Sequence, residues 1–71
     1  MKKKECWKVE FKGDGMPAET TRYGSHDEAV AAAKREAEEI AGMVGGRISD
    51  YGDELVVYTS GSEAARWEIY R

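Results

Sequence analysis

Few residues in this chain could form cross-links or carry out catalysis: its 71 residues include one cysteine, one histidine and one proline. The single cysteine, Cys6, cannot form an internal disulfide, so a reducing, cytoplasmic setting is expected. No apolar run approaches the roughly 18 residues that cross a bilayer, which predicts no membrane-spanning segment. The basic start leads into an alternating pattern rather than an apolar stretch, which argues against a signal peptide.

The scarcity of chemically active side chains also limits the kinds of site to expect. One histidine and one cysteine cannot complete a structural zinc site. His26 is interpreted as a solvent-facing residue in the first helical turn, without a placed acid or nucleophile, and Cys6 as a half-buried strand residue. Residues 50–54 contain three carboxylates, but they lack the ligand spacing of an EF-hand and are interpreted as an acidic hairpin turn. We therefore expect no catalytic residues, no metal and no cofactor.

Size and composition describe one soluble domain over residues 1–71, with 41% hydrophobic and 35% charged residues. The net charge of −3 is unevenly distributed. Residues 1–12 contain five lysines and two glutamates, whereas residues 13–71 contain six basic and twelve acidic side chains. Residues 1–4 are interpreted as a basic tail that aids solubility. The alternative is a bipolar surface, with one end attracted to nucleic acid or to an acidic partner.

Two stretches before the central helix have the period-two alternation of strands. In residues 5–12, Trp7, Val9 and Phe11 fall on one side and charged residues on the other, which is typical of a half-buried strand. Turn-forming residues separate this stretch from a second one, residues 19–23, with β-branched and aromatic content. The sequence therefore predicts a β-hairpin.

The run that starts at Ser25 is the only strongly helical one in the chain. Ser25 is placed to cap the helix N-terminus, and Glu28 is placed to complete a capping box. We expect the helix to end at Gly42 or at the pair Gly45-Gly46. Small apolar residues recur on one face at helical spacing, so the helix should lie close against a sheet. That face comprises Ala29, Val30, Ala33, Ala37, Ile40, Ala41 and Val44.

Three strand patterns follow the helix, over residues 47–51, 55–59 and 65–70, with a hairpin loop over residues 60–63. The order ββαβββ predicts an α+β fold: one antiparallel sheet with a single amphipathic helix on one face, because sheet and helix each have one apolar side to bury. The predicted core is Trp7, Val9, Phe11, Val30, Ala33, Ala37, Ile40, Val44, Ile48, Val57, Trp67 and Ile69.

The sheet face that the helix does not cover is the most informative predicted surface. One interpretation is a solvated face held by cross-strand pairs of opposite charge. The other is a protein-binding platform, because tyrosine and arginine are enriched at interface hot spots. Tyr58 and Tyr70, on adjacent strands, are expected to form a small aromatic patch there. The predicted binding residues are Tyr58, Arg66, Tyr70, Lys8 and Glu68, and the other expected occupants are Glu10, Lys12, Arg22 and Val56.

Three segments in the second half carry a resemblance at the level of topology: Gly46-Arg47-Ile48, Leu55-Val56-Val57-Tyr58, and Arg66-Trp67-Glu68 after the glycine turn at Gly61. With the opening hairpin and the single helix, this order of elements resembles that of very small phage anti-CRISPR proteins, which inhibit the type I surveillance complex. The resemblance implies a stoichiometric inhibitor that binds protein and has no enzyme activity.

Two alternatives remain open at the level of sequence. An idealised, alanine-rich helix with a capping box is also typical of a de novo designed domain without a natural partner. A weak nucleic-acid-binding module is the other alternative, although the net acidic charge argues against it. The chain is expected to be a monomer or a homodimer paired through an edge strand.

Overall fold

The computed structural model describes residues 7–71, so the basic tail and Cys6 lie outside the described residues. Its elements follow the predicted order ββαβββ. No helix among residues 7–71 combines the length and apolar character needed to cross a membrane. The elements are β1 (Trp7–Gly13), β2 (Glu19–Tyr23), α1 (His26–Val44), β3 (Arg47–Asp50), β4 (Glu54–Thr59) and β5 (Ser62–Tyr70).

All five strands form one antiparallel sheet in the order β2-β1-β5-β4-β3. This confirms the predicted fold class. The two hairpins β1–β2 and β4–β5 are joined by the pairing of β1 with β5, so the last strand of the chain lies at the centre of the sheet. The short strands β2 and β3 form the two edges.

Local signals at the helix ends act as the sequence predicts, with one difference. The Glu28 backbone N–H donates to the Ser25 hydroxyl at 3.2 Å, as in a capping box. The Glu28 carboxylate accepts from Gly24 rather than from Ser25, at 3.2 Å. At the other end, Gly45 adopts a left-handed conformation with φ 69°, and the Gly46 N–H donates to the Ala41 carbonyl at 2.9 Å. The helix therefore continues past Gly42 and ends in a Schellman-type cap.

The core lies between the alanine face of α1 and the inner face of the sheet. Four helical alanines, from Ala29 to Ala41, are buried against Leu55, Val57 and Trp67. Small side chains allow the helix to approach the sheet closely, and this explains how a helix with so little apolar bulk contributes to a core. The buried residues on this side also include Val9, Ala65 and Ile69.

Two predicted core residues are wrong. Val44 is 47% exposed because it lies in the last helical turn and borders an open depression above β4 and β5. Ile48 is 39% exposed because it lies on edge strand β3, which has a neighbour on one side only. Leu55 is completely buried although the prediction omitted it.

The β4–β5 hairpin is tighter than predicted. Thr59 pairs with Ser62, which leaves a two-residue turn where a four-residue loop was expected. Both turn residues, Ser60 and Gly61, have positive φ, at 50° and 82°, as the twist of a two-residue hairpin requires. The register shifts between Val57 and Tyr58, which pair with Ala65 and Glu63, so β5 contains one extra residue, Ala64, as a β-bulge.

Candidate protein-binding surface

The strand register places all the predicted surface residues on the side of the sheet opposite α1. We call this side the open face. On β1 and β5, Lys8 lies beside Tyr70, Glu10 beside Glu68, and Lys12 beside Arg66. The remaining positions follow from the outer pairings: Arg22 beside Lys8 on β2, Val56 beside Arg66 on β4, and Tyr58 two residues further along β4.

Charges on the open face lie in bands that cross the strands. Lys8 pairs with Arg22, and Lys12 pairs with Arg66. Between these basic bands, Glu68 pairs with Glu10 on one side and with Glu54 on the other. Every registered pair of two charged residues is therefore like-signed, whereas one sequence interpretation expected opposite charges. Like charges directly opposite each other destabilise a sheet.

Arg66 provides part of the compensation within the acidic band. Its guanidinium contacts Glu63 at 2.9 Å, Glu54 at 3.0 Å and Glu68 at 3.5 Å. The hydrogen bond and charge of Glu63, together with the other two carboxylates, raise the pKa of Arg66 above its ordinary value. Its Nε atom is buried and has no hydrogen-bond partner among the described residues. One cation thus serves three carboxylates and is fixed in place by them.

The predicted aromatic patch of Tyr58 and Tyr70 is wrong. Tyr58 pairs with Glu63, seven residues before Tyr70 on β5, which separates the two tyrosines by roughly 20 Å along the strand. Tyr70 instead lies with the Lys8 ammonium 5.8 Å from its ring centroid. The tyrosines therefore mark opposite ends of the open face.

Tyr51, which the sequence interpretation omitted, is the neighbour of Tyr58. Hydrogen bonding with Tyr51, partial burial and the charge of Glu63 raise the pKa of Tyr58. Val56, expected as an exposed position, is only 1% exposed. Val56 pairs with Arg66 of β5 on one side and with Ser49 of β3 on the other, so it has a neighbouring strand on both sides.

His26 lies exposed in the first turn of α1, as predicted, but it has an acidic partner that the sequence interpretation did not anticipate. Its Nε2 atom lies 2.6 Å from Asp53 Oδ1, and its ring meets that of Trp7 edge-on at a centroid distance of 4.7 Å. The side chain of His26 is 42% exposed. Within residues 7–71, no hydroxyl group forms a hydrogen bond with His26. The contact between His26 and Asp53 connects the N-terminus of α1 to the β3–β4 turn.

The three carboxylates of the β3–β4 segment serve separate structural roles. Asp50 accepts from the Gly52 N–H at 2.9 Å and contacts Lys34 at 3.6 Å. Asp53 binds His26, and Glu54 binds Arg66. Residues 7–71 contain no group of three or more potential metal ligands. The three carboxylates are close together in sequence, but in the folded domain each one contacts a different partner.

A second concave surface, not anticipated from sequence, lies on the helix side of the sheet. It is a groove of about 410 Å³ between the second half of α1 and the β1–β2 hairpin. Apolar residues separated by up to 56 positions meet there, so no local pattern could have revealed it. Its walls include Phe11, Met16, Glu19, Glu36, Glu39 and Ile40.

Comparison with known proteins adds no relative: neither protein families, nor curated proteins, nor solved structures match this chain.

Proposed function

We propose that this chain is a non-catalytic protein-binding domain that recognises its partner through the open face. The observation that supports the proposal is the banding of like charges, in which Lys8 lies beside Arg22 and Glu68 lies between Glu10 and Glu54. Such pairing disfavours the isolated domain. A partner with an acidic band opposite Lys8 and a basic band opposite Glu68 would relieve this repulsion on binding.

The specific form that we propose is a stoichiometric inhibitor, similar in action to phage anti-CRISPR proteins, acting in the cytoplasm as a monomer or an edge-paired homodimer. The order of elements supports the inhibitor form, and the short edge strands β2 and β3 support pairing of two copies. Purified type I surveillance complex provides its test. Target-DNA binding should be lost at about one domain per complex. If DNA binding persists at a large excess of the domain, the inhibitor form is rejected while the protein-binding proposal stands.

The protein-binding proposal is tested by one charge reversal on each side of the sheet. Arg22→Glu replaces the like-signed pair with Lys8 by an opposite pair, so the isolated domain should gain about 0.2–1 kcal/mol. Lys34→Glu makes the same change of charge on the exposed surface of α1, where Lys34 contacts Asp50 of β3, at the opposite edge of the sheet from Arg22. Wild-type and variant domains are immobilised, and proteins captured from bacterial lysate are quantified by mass spectrometry.

A partner bound near equimolar ratio should be retained by Lys34→Glu and lost by Arg22→Glu. Because Arg22→Glu does not weaken the fold, this loss cannot be attributed to unfolding. Retention of every partner by Arg22→Glu and by a Tyr70→Ala variant would contradict the proposed role of the open face.

Nucleic-acid binding is not favoured by the geometry of the open face. The acidic band of Glu10, Glu54 and Glu68 crosses the centre of the sheet, where an RNA-recognition module would present stacking rings and a basic rim. A salt titration of oligonucleotide binding distinguishes the two functions, since binding through phosphates weakens steeply with salt.

A further inference from the structure

The groove on the helix side has an apolar floor large enough to hold a side chain of a partner. Phe11 and Ile40 line it together with the indole of Trp67. It adjoins a second depression of about 360 Å³, and the two share Phe11, Met16 and Ile40. Both volumes fall within the range of about 300–1,000 Å³ that is usual for binding pockets.

Large apolar side chains surround this floor and remain exposed. Met43 is 78% exposed, Met16 48% and Val44 47%, and all three line one or both depressions. A cluster of this kind marks interaction sites on soluble domains. The unbranched, polarisable methionine side chain adapts to differently shaped partners.

The rim of the groove is acidic and lacks cations. Glu19, Glu36 and Glu39 line it, and no ion pair within residues 7–71 involves any of them. One oxygen of Glu36 accepts a hydrogen bond from the Trp67 indole N–H at 2.9 Å. This bond fixes one carboxylate at the edge of the apolar floor.

The helix end beside the groove adds to this negative potential. The last turn of α1 contains no basic residue, although cations there would stabilise the negative end of the helix dipole by about 0.3–1 kcal/mol. Met43 and Val44 belong to this turn. The carboxylates and the helix dipole therefore present the same sign of charge next to one exposed apolar patch.

We propose that this groove, lined by Phe11, Met16, Glu19, Glu36, Glu39 and Ile40, binds a short basic amphipathic segment of another protein. One large apolar side chain of the segment enters the groove, and flanking lysine or arginine side chains lie against the glutamates. Charge complementarity selects this occupant: a phosphate-bearing or acidic ligand would meet three carboxylates that have no ion-pair partner within residues 7–71, and a neutral apolar segment would leave their charge uncompensated. The site is separate from the open face.

The test uses a synthetic ten-residue peptide of alternating leucine and lysine, blocked at both ends. Its counterpart alternates leucine and glutamate. Amide chemical shifts of the ¹⁵N-labelled full chain are followed during titration at low salt. The lysine peptide should shift Phe11, Ile40, Met43 and the Trp67 indole, with an affinity that falls as salt rises. The glutamate peptide should cause no shifts.

Adjacent glutamates provide a matched pair of variants. Glu39→Lys reverses a charge on the groove, whereas Glu38→Lys makes the same change on the exposed helix surface outside it. We expect the dissociation constant to rise about tenfold in Glu39→Lys and less than threefold in Glu38→Lys. Met16→Gln should also weaken binding, since half of this apolar side chain is free to contact the ligand.

Three outcomes would overturn the proposal. Equal weakening by both charge reversals would indicate attraction to net charge alone. Equal binding of the glutamate peptide would remove the role of the acidic rim. Concentration-dependent shifts at the groove without any peptide would show that a second copy of the chain covers it. Tyr70→Ala, on the open face and outside the groove, should leave peptide affinity unchanged, so failure here is distinguishable from failure of the open-face proposal.

Discussion

Trp67 is a residue through which helix α1 and the sheet make contact. It lies on the central strand β5, is fully buried beneath α1, packs against Phe11 at a ring distance of 5.1 Å, and still donates its indole N–H to Glu36. A buried tryptophan commonly needs such an acceptor. An exposed glutamate on the helix provides it here, so the residue joins helix and sheet by packing and by a hydrogen bond.

Replacing this side chain should be the most damaging single change in the core. Trp67→Ala is expected to cost about 3–5 kcal/mol through lost apolar contacts and the cavity left behind. A domain of this size has a total stability of the same order, so the variant should be largely unfolded at 25 °C by circular dichroism. Tyr70→Ala, on the exposed end of the same strand, should change the urea midpoint little. A cooperative, near-wild-type transition for Trp67→Ala would show that the cavity collapses.

Tyr51→Phe should lower the pKa of Tyr58 toward its ordinary value of 10.0. The variant removes hydrogen bonding with Tyr51, the largest of the effects that raise this pKa. Tyrosinate absorbance at alkaline pH measures the change, and Tyr58→Phe identifies which transition belongs to Tyr58. An unchanged titration in Tyr51→Phe would assign the shift to burial and to Glu63 instead.

The same shift gives the sign of a pH effect on stability. The folded state holds the Tyr58 proton more tightly than the unfolded chain does, so the stabilisation is complete below about pH 10. It is lost as the pH rises through the folded-state pKa. In Tyr51→Phe this alkaline loss should shift to lower pH and become smaller.

At the scale of elements, the limits of α1 are set by its two end caps, and its packing against the sheet depends on its alanines. The cap at Ser25 and the left-handed Gly45 set its limits, and these signals are local enough to read from sequence. Its position on the sheet is not local. Each buried alanine permits close approach, but the strands that fill the space, above all β4 with Leu55 and Val57, come later in the chain.

Two glycines at the C-terminal end of the helix should respond oppositely to alanine. A Cβ at Gly42 meets nothing within 4 Å, so Gly42→Ala should stabilise the exposed helix by about 0.5–1 kcal/mol. A Cβ at Gly46 would lie 2.6 Å from the Tyr58 carbonyl oxygen and 2.9 Å from Thr59 Cγ2. Gly46→Ala should therefore destabilise, because backbone would have to move. Urea unfolding of both variants tests the pair, and equal effects of one sign would contradict it.

For the whole molecule, the sheet order predicts how stability is distributed. The strands β1, β5 and β4 are each paired on both sides, whereas β2 and β3 are paired on one side. Amide hydrogens exchange slowly in a strand that is paired on both sides and covered by the helix, because exchange there requires the unfolding of a large part of the domain. We expect the slowest exchange at Val57 and Trp67 and the fastest strand exchange in β3. Hydrogen exchange measured by NMR checks this, and protection in β3 equal to that in β5 would indicate that another chain covers this edge.

The order of elements, the strand alternation and the helix caps follow from the sequence by itself, because period-two alternation, period-3.6 alanines and turn residues act over a few positions. The same alternation correctly assigned Lys8, Tyr58, Arg66, Glu68 and Tyr70 to one face of the sheet. Which residues on that face lie side by side depends on register, and register is set by pairing between distant strands. Only the tertiary structure therefore decided that like charges share bands, that Tyr58 and Tyr70 stand apart, and that Phe11, Glu36 and Trp67 meet at an acidic groove.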